Sequence, residues 1–293
     1  MPKKPLVSII INCFNGDKYL DEAIKSVLAQ NYKNWEIIFF DNNSTDNSSS
    51  VLKKHKDRRI KYFKSRKTYP LYKARNLAIA KSKGEFISFL DVDDWWIKNK
   101  LNKQVNFFLK NQSIDVLYSN VYLYNDKKKT QKIYIKKKLN YGDLTQKLVD
   151  KFEMPILSTI IKRSIFRQIK FDNRYTIIGD LDFFIRLSLI RSIAAIQEPL
   201  AYYRMHDSNL TVKKIDLNIK ELENWVSEKV KDKNFKSINF SKIYKLIKTL
   251  RIKNNIIEGN RLAALKEMFQ KPFNILNFRY ILLLFNFSKW QII

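Results

Sequence analysis

Three carboxylates, Asp91, Asp93 and Asp94, follow directly on an apolar run in the stretch "FISFLDVDDWW". Residues two apart on an extended chain point the same way, so Asp91 and Asp93 share a side. Two close carboxylates need a cation or a proton to offset their repulsion. Hard oxygen donors with few protein contacts suit Mg2+ or Mn2+ that also holds substrate phosphates. The plainer alternative is capping of the helix expected over 95–110, a task for one acid only, Asp93 or Asp94, ahead of Trp95 and Trp96. An EF-hand loop does not fit, because the following glycine and the distal glutamate are missing.

Other residues could join such a site. Asp41 ends the run "WEIIFF", where a carboxylate can accept a base or ribose donor, although the adjacent "NNSTD" equally suits an Asx turn. Arg75 lies ahead of the strand that leads into Asp91; its guanidinium suits phosphate, but on a surface this basic it also reads as solvated. In "GDLDFF", Asp180 is an expected N-cap, and Asp182, two residues on, cannot share its face. His206 is one of two histidines; a lone histidine is more often structural, and His55 in "KKHKDRR" carries only that reading.

The elements that must position these groups alternate. Strands are expected over 6–11, 35–40, 60–63 and 85–90, with helices over 17–30, 72–82 and 95–110. That alternation implies an α/β fold with an open, largely parallel, Rossmann-like sheet flanked by helices. Ligands bind such sheets beyond the carboxyl ends of the strands, where Asn12, Asp41 and Asp91 fall. Further strands are expected over 115–124 and 132–138, a strand and short helix over 155–166, a helix over 179–190 and extended chain over 193–206. From about 212 the pattern becomes lysine-rich and helical.

The 293 residues are 45% hydrophobic, enough for a sizeable core, and the single cysteine, Cys13, excludes an internal disulfide framework. The start, "MPKKPLVSIIINCF", is basic then apolar in the order of a signal peptide, but its apolar run is short and lacks a cleavage site, so a first strand is expected. The net charge of +28 suits polyanionic partners and also fits a compositional bias towards Lys, Asn, Ile, Phe and Tyr.

Taken in order, these stretches resemble a known family. "LVSIIINCFNGDKYLDEAIKSVLAQNYKNWEIIFFDNNSTDNS" and "KARNLAIAKSKGEFISFLDVDD" are similar to the nucleotide-binding half of the family 2 inverting glycosyltransferases, which have the GT-A fold. "MPILSTIIKRSIFRQIKFDNRYTIIGDLDFFIRLSLI" and "EPLAYYRMHDSNLT" resemble the acceptor-side segments of bacterial members. The resemblance implies a glycosyltransferase domain over 1–212, with a nucleotide-sugar half over 1–115 and an acceptor half over 116–212, followed by a basic helical extension over 213–293. It implies that Asp41 contacts the base, that Arg75 lies near the phosphates, and that Asp91 and Asp93 form the Asp-x-Asp pair that handles ribose and metal, with Mg2+ or Mn2+ as cofactor. Asp180 matches the general base, but Gly179 stands where members often carry a glutamate. Arg204 and His206 match a segment that closes over the donor diphosphate, with Thr211 at a position where a hydroxyl is common.

The implied partners are a nucleotide-sugar donor and a glycan or lipid-linked acceptor of bacterial surface polysaccharide, lipopolysaccharide or capsule, with the protein in the cytoplasm or peripheral on the cytoplasmic membrane face. The tail over 271–293 is too short in its apolar run to span a bilayer; it could lie in an anionic membrane interface or dock on protein. A nucleic-acid-binding protein would account for the charge but leaves "DVDD" and "GDLD" without a role, so nucleic acid is not an expected partner. A sugar nucleotidyltransferase would need a glycine-rich phosphate loop that "NCFNGDKY" does not supply.

Overall fold

Nearly continuous apolar runs make the first two strands of a nine-stranded sheet in a computed structural model of the chain, which describes residues 4–207 and 209–269 without the side chains of 211 and 212. β1 (Val7–Cys13) and β2 (Trp35–Asp41) are buried almost throughout, as strands covered on both faces must be. Between them α1 (Asp17–Leu28) turns Leu20, Ala23, Ile24 and Val27 inward. α2 (Ser48–Lys53) leads to the more exposed edge strand β3 (Ile60–Lys64), and α3 (Leu71–Ile79) to β4 (Phe86–Phe89). These strands run parallel in the order β3-β2-β1-β4. A polar staple locks the amino-terminal end: Ser8 Oγ donates to Glu36 (2.6 Å) and accepts from the Gly84 amide (2.8 Å).

The sheet continues through β5 (Trp95–Trp96), α4 (Lys100–Lys110), β6 (Val116–Asn125), β7 (Thr130–Ile133), α5 (Thr145–Asp150), a 3-10 turn (Ile156–Ser158), β8 (Ile160–Lys162), α6 (Ile165–Gln168), α7 (Gly179–Ser188) and β9 (Ile193–Met205). β8 enters antiparallel between β4 and β6, β9 runs parallel to β6, and β5 closes the order β4-β8-β6-β9-β5. The parallel reading thus holds up to β4, beyond which the sheet is mixed.

Three local expectations change. The chain after Asp94 is not yet helical: Trp95 and Trp96 pair with Tyr202 and Ala201, and α4 begins only at Lys100. The strand expected over 132–138 is instead Thr130–Ile133, because the chain beyond it peels off and bonds the Asn120 side chain through the Ile135 amide and carbonyl. α7 starts at Gly179, so Asp180 lies in its first turn rather than capping it.

The described residues fall into two compact units, one of residues up to Leu148 with Phe152–His206, the other of Val149–Lys151 with residues from Asp207 onward. The second unit holds α8 (Leu210–Lys213), α9 (Ile215–Lys229), α10 (Ser241–Ile257) and α11 (Arg261–Phe269). Trp225 packs there against Phe235 and Phe240, and Ile252 against Ala264 and Met268. No helix among the described residues is long and apolar enough to cross a membrane, and the tail over 271–293 lies outside them.

Candidate active site

At the carboxyl end of β4 the chain emerges as Leu90-Asp91, beside Arg75 on α3. Arg75 is 2% exposed and lies over the rings of Tyr72, Phe89 and Phe171. Its Nη2 donates to Asp91 Oδ1 (2.9 Å) and its Nη1 to Asp180 Oδ1 (2.8 Å), so one buried cation joins two carboxylates 89 positions apart in the chain. Burial pushes the Asp180 carboxyl up, Arg75 opposes the rise, Asp91 adds to it, and the balance lies at about 6. Burial also raises Asp91, again against the pull of Arg75. A carboxylate that titrates near 6 can hold a proton briefly and release it at neutral pH, which general-base work requires.

Asp182, two residues on from Asp180, has a different partner. Asp182 is fully buried and accepts from Arg186 Nε (2.8 Å) and Nη2 (2.5 Å), one turn along α7, so it faces away from Asp180's partner. Gly179 has an equally local explanation. A Cβ built there would lie 2.3 Å from the Tyr72 ring, inside any real contact distance. Tyr72, whose hydroxyl donates to the Ile177 carbonyl (3.2 Å), occupies the space that a residue with a side chain would need.

The Asp93–Asp94 turn is held from β9. Asp94 is 2% exposed and accepts from the Arg204 amide (2.8 Å), so its role is to tie the turn to β9, not to cap α4. The Arg204 side chain donates through Nε to the Asp93 carbonyl (2.8 Å), through Nη1 to Asp126 (2.9 Å) and through Nη2 to Glu22. It is stacked over the rings of Tyr19 and Trp95. The sequence marked Arg204 as a diphosphate contact; in the structure it is 5% exposed and committed to the turn that presents Asp93. His206 Nε2 lies 2.9 Å from Asp93 Oδ2, and its ring packs on Tyr19, whose hydroxyl donates to Asp126 (2.8 Å). Glu22, Asp126 and Tyr19 were missed in the sequence, where an acid on a helix and an acid in a lysine-rich turn read as solvated.

Among the described residues no three acidic, histidine or cysteine side chains converge as a closed metal site. What the edge offers is the Asp93–His206 pair and Asp91, whose side chain is 35% exposed with Oδ1 on Arg75. This fits a hard divalent cation that takes one or two protein oxygens and completes its shell with phosphate and water, rather than a caged structural ion.

Asn12 and Asp41 lie at the ends of β1 and β2. Both amide atoms of Asn12 are buried without a hydrogen-bond partner, an arrangement that costs free energy unless a ligand completes it. Asp41 is fully buried; Oδ1 accepts from the Ser44 amide (2.7 Å), the Asx-type turn of the alternative reading, and Oδ2 from the Tyr62 hydroxyl (2.7 Å). Thr211 falls on α8 in the second unit, and its side chain is outside the described part.

Comparison with known proteins agrees with this frame. Residues 8–174 match the family model described as Glycosyl transferase family 2. The chain is 31% identical over 213 residues to the Escherichia coli UDP-Glc:alpha-D-GlcNAc-diphosphoundecaprenol beta-1,3-glucosyltransferase WfgD, covering 71% of this chain and 81% of that relative. Among solved structures it is similar to S. aureus TarS in complex with UDP-GlcNAc, with a TM-score of 0.64 at 17% identity over 90% of this chain and 73% of that one. It is also similar to a mannosyltransferase from Pyrobaculum calidifontis in complex with GDP-Man and Mn2+, with a TM-score of 0.61 at 14% identity over 96% and 80% of the two chains. The mixed α/β sheet is that of the GT-A glycosyltransferases, and the chain belongs to glycosyl transferase family 2.

Proposed function

We propose that this chain is an inverting, metal-dependent glycosyltransferase that moves a sugar from a nucleotide diphosphate, by default a uridine diphosphate, to a hydroxyl of a lipid-linked or glycan acceptor in bacterial surface-polysaccharide synthesis. The reading is carried by one observation, the shared Arg75 that holds Asp180 and Asp91 at the same sheet edge. The similarity to WfgD supports the donor base and the lipid-linked acceptor class.

In this reading Asp180 takes the proton of the acceptor hydroxyl as the hydroxyl oxygen attacks the anomeric carbon, and the bond to the diphosphate oxygen breaks with inversion. Arg75 keeps Asp180 ionised enough to accept that proton and fixes its direction. Asp93, with Asp91 and His206, would hold a divalent cation, which when bound neutralises the charge that grows on the leaving diphosphate. Asn12 and Asp41 form the nucleoside end, where the orphaned Asn12 amide awaits hydrogen bonds. Arg204 acts through Asp93 by fixing its turn. Thr211 and a peripheral position on the cytoplasmic membrane face belong to the same proposal.

The test is turnover of a panel of nucleotide sugars with a polyprenyl-diphosphate sugar acceptor, with Mg2+, with Mn2+ and with chelator. Transfer from one donor that chelator abolishes is expected. Absence of both transfer and donor binding across the panel would overturn the reading, and full activity in chelator would remove its metal.

A further inference from the structure

We infer that the β6–β7 hairpin and the chain that follows it, residues 125–141, dock this protein on an anionic lipid surface with the candidate active-site edge turned towards the bilayer. Seven lysines and no arginine lie between Lys127 and Lys138, all seven are exposed, and no carboxylate follows Asp126 in the segment. The lysines are displayed by an ordered frame. Lys128 donates its amide to Asn125 Oδ1 (2.8 Å) and Lys129 adopts a left-handed φ of 53°, so the turn is a built one. β7 is exposed at every residue, and the chain beyond it is pinned by Asn120 and by Gln197, which accepts the Leu139 amide (2.7 Å).

Apolar groups are interleaved with the charge. Ile133 is 42% exposed and lines a groove with Ile135, Pro199 and the Lys136–Lys138 run. Tyr141 is 61% exposed although its neighbours are fixed, Asn140 by the Tyr118 hydroxyl (2.7 Å) and Gly142 by Ile193. Lysines mixed with aliphatic and tyrosine side chains suit the headgroup region, where charge attracts and apolar groups insert. Nucleic acid would favour the fork of arginine, which the segment lacks. Lysine on an edge strand can also serve only to block strand pairing, and that use leaves the exposed Ile133 and Tyr141 unexplained.

The position of the hairpin gives the docking its sense. Asp126 at its root bonds Arg204, and Arg204 bonds the Asp93 carbonyl, so the lysine turn and the Asp93 turn belong to one hydrogen-bond network. A bilayer under the hairpin would bring a lipid-borne hydroxyl to the edge that holds Asp93. Only this last consequence rests on the glycosyl-transfer reading; the binding does not.

The test is co-sedimentation of the full chain with vesicles of equimolar phosphatidylcholine and phosphatidylglycerol, against phosphatidylcholine alone. At about fivefold per lysine, the triple variant Lys128→Gln/Lys132→Gln/Lys137→Gln should lose on the order of 100-fold in partitioning. The control Lys53→Gln/Lys54→Gln/Lys56→Gln, equal in charge change and also on exposed lysines, should keep most of it. Ile133→Ser should weaken binding most at high salt, where the lysines are screened. Transfer to a water-soluble acceptor, assayed in parallel, should be unchanged in the lysine variant; failure of transfer in the wild type counts against the activity and not the docking. The inference is overturned if the wild type does not sediment, if hairpin and control variants lose equally, or if random duplex DNA displaces the vesicles through the same lysines.

Discussion

The ring of Tyr72 stands where a side chain on residue 179 would have to go, 2.3 Å from the Cβ that Gly179 lacks. The residue before Asp180 is therefore set by a partner on α3, more than a hundred positions earlier in the chain. Gly179→Ala should destabilise by about 1–3 kcal/mol through overpacking. In a Tyr72→Ala background the same change should cost markedly less, a coupling that melting of the four proteins of the cycle measures directly. Additive effects would show that the ring is not the obstacle.

Arg75 carries two duties that can be separated. Its removal leaves two half-buried carboxylates without their cation, so Arg75→Gln should destabilise, by at most about 3–5 kcal/mol. Where the variant still folds, burial raises Asp180 with less opposition, and the acidic limb of the rate profile should move above its wild-type position near pH 6. A limb that stays in place would mean that it reports some other group.

His206 and Asp93 lie 2.9 Å apart, and the pair is expected to form part of the cation's coordination. His206→Ala should raise the Mn2+ concentration needed for half-maximal donor binding by about 10–100-fold, while donor binding at saturating Mn2+ persists. Titration of donor binding against Mn2+ reads this without catalysis. An unchanged midpoint would leave His206 as packing for Tyr19.

Lys100 is a buried amine with uncharged partners, Ser88 Oγ (3.0 Å) and Gln104 Oε1 (2.8 Å), over the Trp96 ring. Burial holds its ammonium well below the usual lysine range. The unfolded chain then binds a proton that the folded one does not, from the lowered value up to about pH 10.4, so stability rises with pH across that window. One such proton contributes a slope of about 1.4 kcal/mol per pH unit. Lys100→Met should remove the lysine's part of that slope on the alkaline side, below about pH 10.4, and stabilise the protein there, as denaturant unfolding at several alkaline pH values would show. An unaltered slope would place the amine's charge elsewhere.

The candidate site residues were legible because each is announced locally: Asp41 ends and Asp91 follows an apolar strand, and Asp180 opens an apolar helix. Their partners were not, because they lie far away in sequence. Arg75 reads as a surface arginine until Asp180, 105 residues later, is seen on its Nη1. Asp94 reads as a helix cap because the strand that claims it, at Arg204, comes 110 residues later. That same strand pairs with Trp95 and Trp96 and delays α4, overriding a local helical pattern. Arg204 itself was read as a ligand contact because its burial rests on two acidic partners, Glu22 and Asp126, that lie 182 and 78 positions earlier in the chain.

The measurement that bears most directly on Asp180 as the general base is transfer by Asp180→Asn at saturating donor and Mn2+, with donor binding followed alongside. Transfer should fall by about 10²–10⁴-fold while donor binding persists. In the wild type, the rate should rise with pH through about 6, where the Asp180 carboxyl ionises. Unimpaired transfer by the variant would contradict the assignment outright.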